Sequence, residues 1–162
     1  MIISYLFMAV TCILLAITGL QGYFQFYIIQ ANHSQFALLS AIFYMLTETM
    51  IMFYFIGSGT AIKKTIQTTG IQTGLYDNVK NTKMKLFPHL TLNMVFIGTV
   101  FILGGAVQTG KMSVWIHGLL FDVAFIHFLY TTFLQHVGFK ENVEVIEKLA
   151  TCKTVTADSS TA

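Results

Sequence analysis

Four ionisable side chains interrupt the otherwise apolar stretch from Trp115 to His136 (WIHGLLFDVAFIHFLYTTFLQH): His117, Asp122, His127 and His136. Two further histidines, His33 and His89, and one acid, Glu48, lie in or beside other apolar runs. Imidazole serves as an axial haem ligand, a metal ligand and a proton carrier near neutral pH. A carboxylic acid in lipid serves proton or cation chemistry, because it is too costly to leave there without a partner.

Depth can be assigned at about 1.5 Å per helical residue. His33 and His117 then fall at one membrane surface, His89 and His136 at the other, and His127 between them. Two imidazole pairs at opposite faces are what a membrane anchor needs to hold haem b between helices and pass electrons across a bilayer. The 19-residue spacing from His117 to His136, about 28 Å along a helix, would put such haems close to the bilayer edges. The plain counterpart is solvation of the imidazoles at headgroup level.

Glu48, Asp122 and His127 fall deeper, where a charged group costs about 2.5–3.5 kcal/mol even on the milder insertion scale. Each therefore needs a partner. A Glu48–His127 hydrogen bond is the simplest structural solution, with Tyr44 one turn before Glu48. The functional alternatives are a proton or ion pathway through Glu48, Asp122 and His127, an acid near a quinone, or a metal ligand. Spacings such as HxxxH, ExxH and HxxEH are absent from these apolar runs, so a zinc hydrolase or di-iron centre has little support. Met45, Met50 and Met52 surround Glu48 in sequence; thioethers bind copper, but packing is their commoner use.

The elements that position these groups follow from composition. The 162 residues are 55% hydrophobic and 10% charged, too little polar surface for a water-soluble globule of this length. A bilayer crossing takes about 20 apolar residues, and four segments approach or exceed that: about 5–29, 36–56, 90–107 and 114–137. The expected architecture is all-α, an integral membrane four-helix bundle over residues 1–139, made of two antiparallel transmembrane hairpins. Residues 57–89 form a long polar connection, 140–150 an amphipathic helical extension with Val143, Ile146 and Leu149 or Ala150 inward, and 151–162 a disordered tail. The opening MIISYLFMAV has no basic start or cleavage site, so it reads as a retained span.

Lys63, Lys64, Lys80, Lys83 and Lys85 crowd the long connection, whereas the opposite turns contain only Lys111. By the positive-inside rule the long connection and both termini are cytoplasmic. Asn32-His33-Ser34 matches a glycosylation acceptor pattern but lies in a turn against the bilayer, and reads as chance. A heptad row of Ser4, Thr11, Thr18 and Gln25 marks a packing seam on the first span. Gly98 and Gly105 give the third span a face suited to close approach, and Tyr44, Thr47 and Glu48 share the polar face of the second. Cys12 and Cys152 lie in unlike environments and predict no disulfide.

Size and span count resemble the small membrane cytochromes of the b561 type and the four-helix membrane enzymes of eicosanoid and glutathione metabolism. The first group carries histidines in its first span and the second a Glu-Arg-rich motif in its second. This chain has neither, and no Arg at all. The functional expectation is a small integral membrane subunit binding haem b at His33/His117 and His89/His136, with quinone-linked electron transfer. The alternatives are a cofactor-free assembly subunit, or the proton or ion pathway. Expected partners are the lipid bilayer and other membrane subunits or further copies, and no nucleic acid. A bacterial inner membrane is the expected location.

Overall fold

The computed structural model describes residues 1–28, 30–70 and 74–159. Four helices follow one another: α1 (Ile2–Phe24), α2 (His33–Thr69), α3 (Leu75–Gln108) and α4 (Val114–Ser159). Each is long and apolar enough to cross a membrane, with an 18-residue window of mean hydropathy 1.4 or above.

Polar side chains close the turn between α1 and α2. Gln25 ends α1 in the left-handed region (φ 54°), while the buried Gln21 amide donates to the carbonyls of Phe26 and Ala31 at 2.8 and 2.9 Å. Asn32 then caps α2 in a reciprocal capping box with Gln35, satisfying donors that a helix start leaves open. This local role accounts for the asparagine of the Asn32-His33-Ser34 pattern.

Within 57–89 the described residues are almost all helical, where a loop was expected. α2 runs on to Thr69 and ends at Gly70 (φ 67°), and α3 begins at Leu75. Residues 71–73 lie outside the described residues. At about 1.5 Å per residue, the 37, 34 and 46 residues of α2, α3 and α4 all exceed the ~30 Å hydrocarbon core. Their surplus lies at the end of the molecule carrying the N-terminus, called here the extended end; the short turns occupy the loop end. In the extension Ile62, Val79, Val145 and Leu149 bury one another. Pro88 sits inside α3, where it removes one backbone donor.

α4 presents one continuous inward stripe: Ala124, Phe128, Thr131, Gln135, Phe139, Asn142, Val145 and Leu149. That stripe corrects the expected inward face of the 140–150 segment, since Ile146 is exposed and Asn142 and Val145 are buried. Steps of three and four set by Phe139 carry the register onward. The helix also continues through Ser159, beyond the residue at which disorder was expected, because no Gly or Pro interrupts it after Gly138; residues 160–162 lie outside the described residues.

Side by side, α1 packs on α2 and α4, α2 on α3, and α3 on α4; α2 also meets α4, whereas the backbones of α1 and α3 stay apart among the described residues, with Met8 and Leu15 of α1 sharing apolar clusters with Leu86, Leu90, Ile97 and Val100 of α3. The heptad row is a hydrogen-bonded seam: Thr11 meets Thr47 at 2.8 Å and Thr18 meets Ser40 at 2.7 Å. Gln25 stands outside it as the cap. Gly98 faces the Met45 side chain, while nothing lies within 4 Å of a Cβ placed on Gly105.

Candidate functional site

Where α2 crosses α4, Gln135 Nε2 donates to Glu48 Oε2 at 2.6 Å. Both side chains are completely shielded, at 0% exposure. The remaining oxygens of this pair, Glu48 Oε1 and Gln135 Oε1, have no hydrogen-bond partner among the described residues. The expected Glu48–His127 bond is not made; Gln135, one turn beyond Thr131 on the inward stripe of α4, takes that place.

One turn before Glu48 on α2, the Tyr44 hydroxyl accepts from Asn93 Nδ2 at 2.8 Å. The other end of that amide accepts from His127 Nδ1 at 2.9 Å. An amide oxygen can only accept, so with this orientation Nδ1 carries the hydrogen and a neutral His127 keeps its lone pair on Nε2. That nitrogen faces His89 Nδ1 at 3.4 Å. The series His89, His127, Asn93, Tyr44 thus donates inward from the α3–α4 seam towards the turn bearing Glu48. Asn93 orients this series and does not conduct through it, because an amide has no readily exchanged acidic proton to pass along.

His89 was expected beside His136. Instead His136 Nδ1 meets the Tyr5 hydroxyl at 2.8 Å on α1, and His89 packs on His127 with ring centres 5.6 Å apart. The early start of α3 at Leu75 explains the change: nearly four turns precede His89, so it lies level with His127.

At the loop end the expected pair does form. The rings of His33 and His117 stand edge to face, with centres 6.4 Å apart. Each is seated on a glycine of another helix: a Cβ on Gly22 would approach His33 Cε1 to 3.1 Å, and one on Gly104 would approach His117 Cε1 to 3.4 Å. Nδ1 of both rings is buried without a hydrogen-bond partner. Nearby, the Tyr23 hydroxyl donates to Asp122 Oδ2 at 2.6 Å, so Asp122 is tied to α1 and is separate from Glu48.

The structure therefore gathers the singled-out residues into three places: Tyr44, Glu48 and His127 with His89 in the middle, His33 with His117 near Asp122 at the loop end, and His136 on Tyr5. Asn93 and Gln135 complete the central group, and sequence reasoning did not select them as site residues. Their signal was a neutral amide on the inward face of an apolar helix, where burial demands partners. Among the described residues no three His, Cys, Asp or Glu side chains gather as a metal site.

Four such helices define a small protein of the membrane-spanning class. Comparison with family models, curated proteins and solved structures finds no match to the chain.

Proposed function

We propose that this chain is a small proton-handling membrane subunit whose working group is Glu48. One observation carries the reading: in this bonded pair the remaining oxygen of each partner, Glu48 Oε1 and Gln135 Oε1, is buried and lacks a donor. A proton on Glu48 Oε1, given to Gln135 Oε1, satisfies both and closes a cyclic acid–amide pair with the existing 2.6 Å bond. Leaving the two oxygens bare would forfeit about 1–3 kcal/mol for each. Deprotonation breaks the cycle, so proton uptake and release at Glu48 is linked to how firmly α2 is held on α4.

The test is infrared difference spectroscopy of the reconstituted protein across a pH titration. A carboxylic acid C=O band that is present in the unaltered protein and lost in Glu48→Gln supports the reading. Absence of any such band at every pH overturns it.

The lysines supply the remainder of this reading. Lys63, Lys64, Lys80, Lys83 and Lys85 all belong to the extended end of α2 and α3, which supports placing that end and both termini on the cytoplasmic side of a bacterial inner membrane. Tyr130, half-exposed, forms with His89 and His127 a polar edge that supports contact with another membrane subunit or a second copy.

Haem b is a second reading, narrowed to His33 and His117, the expected pair whose rings do come together, with centres 6.4 Å apart. His89 and His136 are each engaged with other side chains. A reduced-minus-oxidised visible spectrum of protein expressed with haem supplied tests it, since a colourless product removes the electron-transfer role.

A further inference from the structure

We infer that His33 and His117 together bind one late first-row divalent metal ion, Zn²⁺ or Cu²⁺, at the loop end of the molecule, independently of what Glu48 does. Both imidazoles turn Nδ1 into protein, and neither Nδ1 finds a hydrogen-bond partner. The Thr18 backbone lies near His33, yet outside hydrogen-bonding geometry with that atom. A ring nitrogen without a partner offers a lone pair in its neutral form, and imidazole is a preferred ligand of Zn and Cu.

The spacing suits an ion. Ring centres 6.4 Å apart admit one ion at metal–nitrogen bonds of about 2.0–2.1 Å when the two nitrogens lie on opposite sides of it, a trans arrangement that suits tetragonal Cu²⁺ directly and asks the rings to draw together for tetrahedral Zn²⁺. The rings come from the first turns of α2 and α4 and rest against Gly22 and Gly104, so neighbouring helices set their positions. No third His, Cys, Asp or Glu joins them among the described residues. With two protein ligands, the ion would complete its coordination with exchangeable ligands, as open metal sites do, and admitting them requires the buried Nδ1 atoms to open towards the loop end.

The same atoms argue for a bare ion over a porphyrin. Nδ1 neighbours the ring carbon attached to Cβ, so a wide plane standing perpendicular to a metal–Nδ1 bond would run into the residue's own backbone. A compact ion avoids that clash.

The experiment is titration of metal-free, full-length protein in detergent, without a histidine tag, using Zn²⁺ and Cu²⁺ separately. One ion per chain is expected, with affinity falling at acid pH as protons compete for the imidazoles. His33→Asn and His117→Asn should each weaken binding at least about tenfold, whereas His89→Asn should bind as before. Nitrogen hyperfine structure in the electron paramagnetic resonance spectrum of the unaltered Cu²⁺ protein should report two imidazoles, a readout that does not depend on either variant folding. No binding, equal loss in His89→Asn, or a spectrum without two nitrogen ligands would overturn the site. A haem absorption band that disappears in His117→Asn would overturn it in favour of a porphyrin.

Discussion

Glu48 on α2 and Gln135 on α4 are hydrogen bonded at 2.6 Å, with neither side chain exposed. This contact ties together two helices that neighbour each other only across the interior. Gln135→Leu removes the donor and leaves the whole carboxyl without it, so a loss of about 1–3 kcal/mol in stability is expected. Glu48→Gln keeps the volume and can form an amide–amide pair with Gln135, so it should cost clearly less. Reversible unfolding in mixed micelles measures both; a larger loss in Glu48→Gln than in Gln135→Leu would refute the pairing.

Asn93 has two partners on two other helices, Tyr44 and His127. Asn93→Leu strands both, and about 1–3 kcal/mol per stranded group is expected. The more specific readout is nitrogen NMR of His127. The unaltered protein should show hydrogen on Nδ1, and Asn93→Leu should release that preference. An Nε2-protonated His127 in the unaltered protein would mean that the amide faces the other way.

The α1–α2 seam offers a quantitative check on interhelical hydrogen bonds in lipid. Thr11 and Thr47 share a 2.8 Å bond, and each is buried. Thr47 also gives its hydroxyl to the Phe43 carbonyl at 2.9 Å, which leaves Thr11 as the donor between the two. A double-mutant cycle with Thr11→Val and Thr47→Val should yield a coupling of about 0.6 kcal/mol and no more than about 1.7. A coupling indistinguishable from zero would show that the seam is held by packing alone.

Helix faces were legible in the sequence, and helix partners largely were not. The heptad row placed Ser4, Thr11, Thr18 and Gln25 on one seam and the helical period put Tyr44, Thr47 and Glu48 on one face; the structure buries Thr11, Thr18, Tyr44, Thr47 and Glu48 and leaves Ser4 half-buried and Gln25 exposed. The same period shows that His127 and His136, nine residues apart, point in opposite directions about α4, so one neighbour could not serve both. What the sequence withheld was axial register. Starting the third span at about residue 90 put His89 at the membrane edge, whereas α3 begins at Leu75 and carries His89 inward to His127. The amides of Asn93 and Gln135 lack the charge that drew attention to Glu48, yet burial places the same demand for partners on them. The loop-end pair was legible because His33 and His117 each follow a short turn, which leaves little freedom in register.

The direction of insertion gives the last prediction. Gln67 lies on the exposed extension of α2 near Lys63 and Lys64, and Lys111 occupies the turn between α3 and α4 at the opposite end; both positions are exposed. Cationic side chains flanking spans are retained on the cytoplasmic side, and the extended end holds Lys63, Lys64, Lys80, Lys83, Lys85, Lys140 and Lys148 against Lys111 alone at the loop end. With Cys12 and Cys152 replaced by Ala, Lys111→Cys should react with a membrane-impermeant maleimide on intact cells. Gln67→Cys should react only after the membrane is opened. The reverse pattern would place the lysine-rich extension outside and would expose the His33–His117 end to cytoplasmic metal.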